Sequence, residues 1–266
     1  PLKYVFANFG YLVFFGLFPA VFLAYSLDTA TVGAILRDYF TGSPYASFSD
    51  IFHAVSIFNF HSVSATIADV LSVILAVTCV AMMMAFMEKH MRIGKKTWTG
   101  LFSNDNLLST LGITLLFACL YELWALITSA LLLCVSFFGG KTVIYILSVI
   151  VWFGTQTALL FVVSLFYLWL PCLQITGFRS FEALSYSYQL ATGAKRTIVR
   201  EQFVSMTIAE ILIGLVCVFA PWAWLKLVLN SAVFAGQILL FVTRMQVVYF
   251  DRAQLERADE KNYYFG

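Results

Sequence analysis

Residues Val63–Met87 read VSATIADVLSVILAVTCVAMMMAFM and are followed at once by the basic stretch Glu88–Lys96, EKHMRIGKK. A helix that crosses a bilayer needs about 20 predominantly apolar residues, and this run exceeds that length. An apolar run that ends in clustered lysine and arginine is typical of a helix that crosses a membrane and stops among the lipid headgroups. This pattern decides the fold class, because it recurs along the chain.

The composition agrees with that pattern. The protein has 266 residues, of which 61% are hydrophobic and 11% charged, with a mean hydropathy of +0.88, whereas a soluble domain carries about 25% charged residues. The net charge of +2 is too small to favour a nucleic-acid partner. All five cysteines lie in or beside apolar runs, which argues against a disulfide framework and a zinc site. The sequence predicts an integral membrane protein with no metal, cofactor or nucleic acid.

We predict an all-α, polytopic membrane fold with six spans. The apolar runs are Tyr4–Tyr25, Val63–Met87, Leu107–Phe138, Val143–Leu173, Phe203–Trp224 and Leu225–Phe250. They form one transmembrane domain over residues 1–250, followed by a cytoplasmic tail over 251–266. The third and fourth runs are longer than a bilayer requires, so we expect them to tilt or to extend beyond it.

Basic residues set the predicted orientation. All but three of the 16 lysines and arginines fall on one side of the predicted spans, the exceptions being Arg37, Lys141 and Lys226. The positive-inside rule places the basic side in the cytoplasm. An even number of spans returns the chain to the side where it began. We therefore predict a multi-pass protein of the cell membrane with both termini in the cytoplasm.

Short amphipathic helices are predicted on both sides. The region of about 31–60 carries two apolar stripes at helical spacing, the first capped by Thr31 and the second by Ser47 and Asp50 in a capping-box-like start. These helices either lie in the interface or pack on the spans as a lid. On the basic side, residues 181–192 form a helix that we expect to bury Phe181, Leu184, Tyr188 and Ala191 and to end at a left-handed Gly193. A weaker pattern before the third span is interrupted by Gly94 and Gly100.

Two stretches, Met83–Leu126 and Pro171–Gly214, share one plan. Each has the end of an apolar run, a short basic segment and a further apolar run. A shift of 88 residues places Glu122 (in LYELW) on Glu210 (in IAEIL). We predict an internal parallel repeat, because both pairs of spans enter and leave in the same direction.

The segment Leu168–Phe203 resembles a known family. It contains Pro171 at the end of a span and then Ala-Leu-x-x-Ser-x-x-Leu-x-x-Gly, with Ala183, Leu184, Ser187, Leu190 and Gly193 in the defined positions. This motif resembles six-helix membrane proteins that include the membrane domain of some glycerophosphoryl diester phosphodiesterases and related uncharacterised Gram-positive families. The resemblance covers about a seventh of the chain and implies the six-helix fold. It implies no hydrolase activity, since the chain has no soluble phosphodiesterase domain.

Glu122 and Glu210 form the candidate intramembrane polar site, with Gln156 as a candidate partner. A carboxylate inside an apolar span is costly and marks a functional site by default. Such a pair could bind a proton or cation. The alternative is that each glutamate holds neighbouring helices together by hydrogen bonds.

The candidate headgroup contacts are basic residues beside the spans, namely Lys95, Lys96, Arg179, Lys195, Arg196 and Arg200. We expect Asp69, near the outer end of its span, to reach the interface, and Arg244, near the inner end of its span, to reach water. Asp50, His53 and His61 lack the spacing of known metal helices, so no metal site is predicted.

No catalytic pattern such as Gly-x-Ser-x-Gly or a P-loop is present. The favoured function is a non-enzymatic membrane protein that binds lipid or a partner membrane protein. The alternative is a small secondary transporter or flippase that uses the two glutamates.

Overall fold

The computed structural model describes residues 2–41, 47–59, 62–98, 101, 104–138 and 140–259. Over these residues the chain forms eleven helices and no strand. They are α1 (Leu2–Ala7), α2 (Phe9–Ser26), α3 (Thr29–Thr41), α4 (Phe48–Val55), α5 (Val63–Ile93), α6 (Asn104–Val135), α7 (Lys141–Phe166), α8 (Trp169–Thr176), α9 (Ser180–Thr192), α10 (Lys195–Phe219) and α11 (Ala223–Arg252).

Within the described residues, six helical segments are long and apolar enough to cross a membrane. Five of them are the single helices α2, α5, α6, α10 and α11, and the sixth consists of α7 together with α8. This confirms the all-α polytopic prediction and makes the chain a multi-pass membrane protein. The helices extend beyond the predicted apolar runs, since α5 continues to Ile93 and α10 begins at Lys195. Lysine and arginine favour helix and hold their charges away from an apolar surface on long stems.

The spans are arranged in a ring in chain order. Each of α2, α5, α6, α7, α10 and α11 packs on the next, and α11 closes the ring against α2. The tightest approach is at Gly16 of α2, where a Cβ would lie 2.9 Å from Leu239 Cγ and 3.1 Å from Ala235 O. In lipid, no hydrophobic driving force brings helices together, so spanning helices associate by close packing. Small residues allow that close approach. Beside this contact lie the fully buried side chains of Leu12, Phe15, Met83 and Met87.

Two of the predicted spans are interrupted. Pro171 lacks an N–H, and its ring would clash with the carbonyl of Tyr167 in a continuous helix, so α7 ends at Phe166 and α8 begins at Trp169. In the first span, Asn8 leaves the helical region with φ −120° and ψ 16°, and its amide donates to the Tyr4 carbonyl at 3.0 Å. Only the break at Pro171 has a sequence signal that could have predicted it.

The helices α3 and α4, here called the cover helices, pack on the spans as a lid. Helix α3 contacts α10, and α4 contacts α6 and α3. A Cβ on Gly33 of α3 would lie 3.0 Å from the Cys217 carbonyl of α10, so the two helices are in close contact. Ser47 caps α4 as predicted, accepting from the Asp50 N–H at 3.5 Å. The cap of α3 is Asp28 rather than Thr31, because the Asp28 carboxylate accepts from two N–H groups of the first turn.

Both ends of the described chain lie at the same end of the ring, here called the basic end. Tyr4 of α1 shares a 2.9 Å hydrogen bond with His90 of α5, and a Cβ on Gly94 would lie 3.6 Å from Ala258 Cβ. Residues 95–98 and Leu101 contain no helix, and the rest of the weaker pattern before the third span, residues 99–100 and 102–103, lies outside the described residues. Gly94 instead ends α5 in the left-handed conformation, at φ 77°.

Helix α9 confirms the predicted amphipathic helix at 181–192 and the burial of Ala191, but the large residues of the predicted stripe do not form the buried face. Phe181 is 86% exposed and Tyr188 is 53% exposed, while Ala183 and Ser187 are fully buried and Ala191 nearly so. The small residues face the bundle because they allow the helix backbone to approach it. Gly193 has φ −74° and is not left-handed. It lies close to the Arg252 guanidinium, 3.3 Å from where a Cβ would stand.

The internal repeat stays a prediction. In both stretches one helix reaches the basic end and a second helix leads away from it. The second helix is α6 in the first stretch and carries Glu122, and it is α10 in the second stretch and carries Glu210. The connections differ, since α8 and α9 occupy the second, whereas the described part of the first carries the extended segment 95–98.

Candidate functional site

Glu122 binds the loop that follows the cover helices. This cover loop comprises Ser56–Asn59. One Glu122 oxygen accepts from the Ser56 hydroxyl at 2.7 Å, and the other accepts from the N–H groups of Ile57 at 2.9 Å and Phe58 at 3.2 Å. The neighbouring Tyr121 hydroxyl donates to the Val55 carbonyl at 3.2 Å, which pairs a backbone acceptor that the end of a helix leaves open.

Asp69 binds the same loop from the adjacent span. One of its oxygens accepts from the Asn59 N–H at 2.7 Å, and the residue is 1% exposed. The Asp69 side chain is therefore buried in the protein, and its position at the interface stays a prediction. A buried carboxylate requires donors, and the cover loop supplies one. Two carboxylates, on α5 and α6, hold consecutive residues of one loop, so the cover is fixed to the bundle by polar as well as apolar contacts.

Glu210 makes a different set of contacts, between α10 and α7. The Gln156 amide donates to both Glu210 oxygens at 3.1 Å, and the Trp152 indole N–H donates to one of them at 3.1 Å. The Gln156 carbonyl in turn accepts from the Thr207 hydroxyl at 3.5 Å. The structure thus pairs Gln156 with Glu210 and not with Glu122.

An aromatic row separates the two glutamates. The Tyr121 and Trp124 ring centroids lie 5.0 Å apart, and those of Trp124 and Trp152 lie 5.6 Å apart. Within the described part of the chain, the hydrogen-bond partners of Glu122 differ from those of Glu210. The sequence-predicted pair is therefore two separate hydrogen-bonded sets rather than one site.

A third buried set joins α10, α11 and α7 nearer the basic end. Arg244 is 7% exposed. Its guanidinium forms a 3.0 Å ion pair with Glu201 and donates to the Ser205 hydroxyl at 3.3 Å. The expectation that Arg244 turns to water is therefore wrong.

The same set includes Gln202, whose amide donates to the Tyr167 hydroxyl at 2.6 Å. That hydroxyl donates to the Phe241 carbonyl at 2.8 Å, and the Gln237 amide donates to the Ser205 carbonyl. The sequence carried a signal for this set. Glu201 and Ser205 are four residues apart on α10, and Gln237 and Arg244 are seven apart on α11, so each pair shares a helix face.

The largest grouping of predicted headgroup contacts lies in a groove between α7, α9 and α10. This basic groove has a volume of about 490 Å³ and is lined by Thr157, Phe161, Thr192, Lys195, Arg196, Val199, Arg200 and Phe203. The Lys195 ammonium lies 3.5 Å from the centroid of the Phe161 ring, in cation–π contact. Arg196 and Arg200 are exposed at its rim.

The groove combines an apolar floor with an unbalanced positive charge. Phe161, Val199 and Phe203 supply the floor. None of its lining residues is acidic, and the ion pairs found among the described residues leave Lys195, Arg196 and Arg200 without an acidic partner. Glu201, the acid next in sequence, turns to Arg244 instead.

The other predicted headgroup contacts lie outside this groove. Lys95 and Lys96 are exposed beside α2, where the Lys96 ammonium lies 4.9 Å from the centroid of the Tyr11 ring. Arg179 is exposed at the start of α9, and its backbone N–H donates to the Glu182 carboxylate at 3.4 Å.

The described residues contain no group of three or more histidine, cysteine or acidic side chains placed to hold a metal ion. His61, one of the three residues weighed for a metal, lies outside the described residues. The five cysteines are free. No protein-family model, curated protein or solved structure matches the chain.

Proposed function

We propose that this protein is a non-enzymatic integral membrane protein that binds anionic lipid in the basic groove. One observation carries the proposal: three cations of α10 without acidic partners lie beside the apolar side chains of a groove between α7, α9 and α10. Each cation near an anionic membrane surface contributes about 1 kcal/mol to binding. The apolar floor offers a surface for the first part of an acyl chain. Contact between the two is favourable because it removes apolar surface from water.

The proposed orientation follows from the positive-inside rule. With the basic end in the cytoplasm, the groove faces the inner leaflet of the cell membrane, where anionic lipids attract basic residues. The resemblance to the six-helix family is compatible with this arrangement and supplies no activity. Transport through Glu122 and Glu210 has weaker support, because each carboxylate is occupied by its own donors.

Replacing Lys195, Arg196 and Arg200 together by glutamine tests the proposal. Protein purified in mild detergent is incubated with phosphatidylglycerol or phosphatidylcholine, and the bound lipid is counted by native mass spectrometry. We expect the triple variant to lose roughly 3 kcal/mol of binding to phosphatidylglycerol before salt screening. Binding to phosphatidylcholine should stay unchanged.

The matched control replaces Lys95, Lys96 and Arg179 by glutamine. It removes the same charge from the same end of the bundle but leaves the groove intact. If both triple variants lose phosphatidylglycerol equally, the attraction is diffuse and the groove is not a site. Binding of a membrane protein that depends on the groove, with no lipid effect, would instead favour a protein partner.

A further inference from the structure

The headgroup chemistry of the basic groove points to a narrower class of lipid, and this inference rests on the proposed function. We infer that the groove selects lipids that end in a phosphate monoester, such as phosphatidic acid, over lipids whose phosphate is a diester. The number, the kind and the position of the charged groups that face the groove each favour a terminal phosphate.

The number of charges favours a dianion. Helix α10 contributes Lys195, Arg196 and Arg200, while the lining residues of α7 and α9 are uncharged. A phosphodiester headgroup brings one negative charge, whereas a terminal phosphate carries between about 1.5 and 2 at neutral pH. Three cations with no acid among them are better neutralised by the terminal phosphate.

The kind of donor favours a phosphate with free oxygens. The arginine guanidinium is a planar fork that binds two oxygens of a phosphate at once. A terminal phosphate offers three oxygens that are not esterified, so it can meet two guanidiniums and one ammonium. A diester offers two such oxygens and adds a head alcohol that must be placed beside the same cations.

The lining offers little to a positively charged head alcohol. It contains no carboxylate to pair with an ammonium group. Its two hydroxyls donate within their own helices, Thr157 to the Phe153 carbonyl at 2.7 Å and Thr192 to the Tyr188 carbonyl at 2.8 Å. A choline or ethanolamine group would therefore meet cations and receive no compensating contact.

The position of Lys195 favours a membrane lipid over free phosphate. Its ammonium stands over the Phe161 ring, and the residue is half-buried, whereas Arg196 and Arg200 are exposed. A phosphate held there brings its glycerol and the start of its chains against Phe161, Val199 and Phe203. Inorganic phosphate would gain none of that apolar contact.

The experiment compares nanodiscs of phosphatidylcholine that contain either phosphatidic acid or phosphatidylglycerol, with the two compositions matched in surface charge. Lipids retained by the repurified protein are counted by mass spectrometry. We expect phosphatidic acid to be enriched at least about fivefold over phosphatidylglycerol at pH 8. The enrichment should fall towards pH 5.5, where the terminal phosphate gains a proton because its second pKa is about 6. Millimolar glycerol phosphate should not displace the bound lipid.

Two variants separate this inference from a general attraction. Replacing Arg196 and Arg200 by lysine keeps the charge and removes the forks, so phosphatidic acid enrichment should fall at least about threefold while phosphatidylglycerol binding persists. The Lys95, Lys96 and Arg179 triple variant should retain the full enrichment. Equal retention of both lipids by the wild-type protein would overturn the inference and leave the proposed function standing. Retention of neither lipid would overturn both.

Discussion

Glu122 and Glu210 occupy similar sequence surroundings, yet they bind different kinds of partner. Glu122 accepts from a hydroxyl and two backbone N–H groups of the cover loop. Glu210 accepts from two side chains on the neighbouring span. Glu122 holds the cover loop against α6, and Glu210 holds the spans α7 and α10 together. Glutamates in similar sequence surroundings can therefore have different roles, one holding a loop to a span and the other joining two spans.

The strongest way to test this difference is to remove Glu122. Glu122→Ala leaves the Ile57 N–H without its acceptor and removes one of two acceptors from the Ser56 hydroxyl and from the Phe58 N–H, which keep the Phe58 carbonyl and the Ser56 hydroxyl oxygen. An unpaired buried donor costs about 1–3 kcal/mol, although polar contacts inside membranes average about 0.6 kcal/mol. We expect the free energy of unfolding to fall by about 2–4 kcal/mol in detergent titrations.

The location of the effect is as informative as its size. Hydrogen exchange over Ser56–Asn59 should accelerate in Glu122→Ala, because the Ile57 amide loses its acceptor and the Phe58 amide loses one of two. Unchanged exchange in that segment would show that the cover loop does not depend on Glu122, whatever the change in global stability.

The sequence predicted the spans but not the partners of their polar residues, and the reason is physical. A span is encoded locally, by a continuous apolar run that must satisfy its backbone within one helix. The donors for Glu122 lie more than 60 residues away in sequence. No local pattern specifies them, because only the tertiary fold brings the cover loop to α6.

Helix α9 shows a different reason for a wrong prediction. Its predicted apolar stripe is Phe181, Leu184, Tyr188 and Ala191, and the structure buries Ala191 but exposes Phe181 and Tyr188. In a membrane, lipid accepts those side chains, and the small residues determine how closely helices approach. The motif already contained the answer, because Ala183 and Ser187 are its small positions and both are buried.

Removing Glu210 should have a smaller effect, confined to α7 and α10. Glu210→Ala leaves two side-chain donors unpaired, and side chains can turn to other partners more readily than a backbone can. We expect a loss of about 1–2 kcal/mol in the free energy of unfolding, together with a shift in tryptophan fluorescence from Trp152. Faster exchange in the cover loop of this variant would mean that the two sets are coupled, contrary to their separate contacts.

Arg244 extends the comparison to a third carboxylate. Arg244→Met removes the buried partner of Glu201. Breaking a fully buried pair costs about 3–5 kcal/mol, but the Glu201 side chain is 36% exposed and can turn to water. We therefore expect a loss nearer 1 kcal/mol, with little dependence on salt. Arg252→Met, on an exposed arginine of the same helix, is the control and should leave the melting temperature almost unchanged. A larger loss in the control would contradict the buried role of Arg244.

The smallest effects come from the glutamine variants, and their order should reverse that of the alanine variants. At position 122, glutamine keeps one oxygen for the Ile57 and Phe58 N–H groups. Its amide nitrogen then faces the Ser56 hydroxyl, which already lies 2.8 Å from the Phe58 carbonyl and can donate there while accepting from the amide. Every donor keeps an acceptor, so Glu122→Gln should cost well under about 1 kcal/mol.

Glutamine fits less well at position 210. If its oxygen faces the Trp152 indole, its amide nitrogen faces the Gln156 amide, and two donors meet. Gln156 can rotate its amide to present oxygen, but its nitrogen then faces the Thr207 hydroxyl, which must stop donating and accept. Glu210→Gln should therefore cost about 1 kcal/mol, more than Glu122→Gln, in matched unfolding titrations. Lipid retention in the basic groove should be unchanged in both, because neither carboxylate lines it. The opposite order of stabilities would show that Glu122, not Glu210, has the more restrictive set of donors.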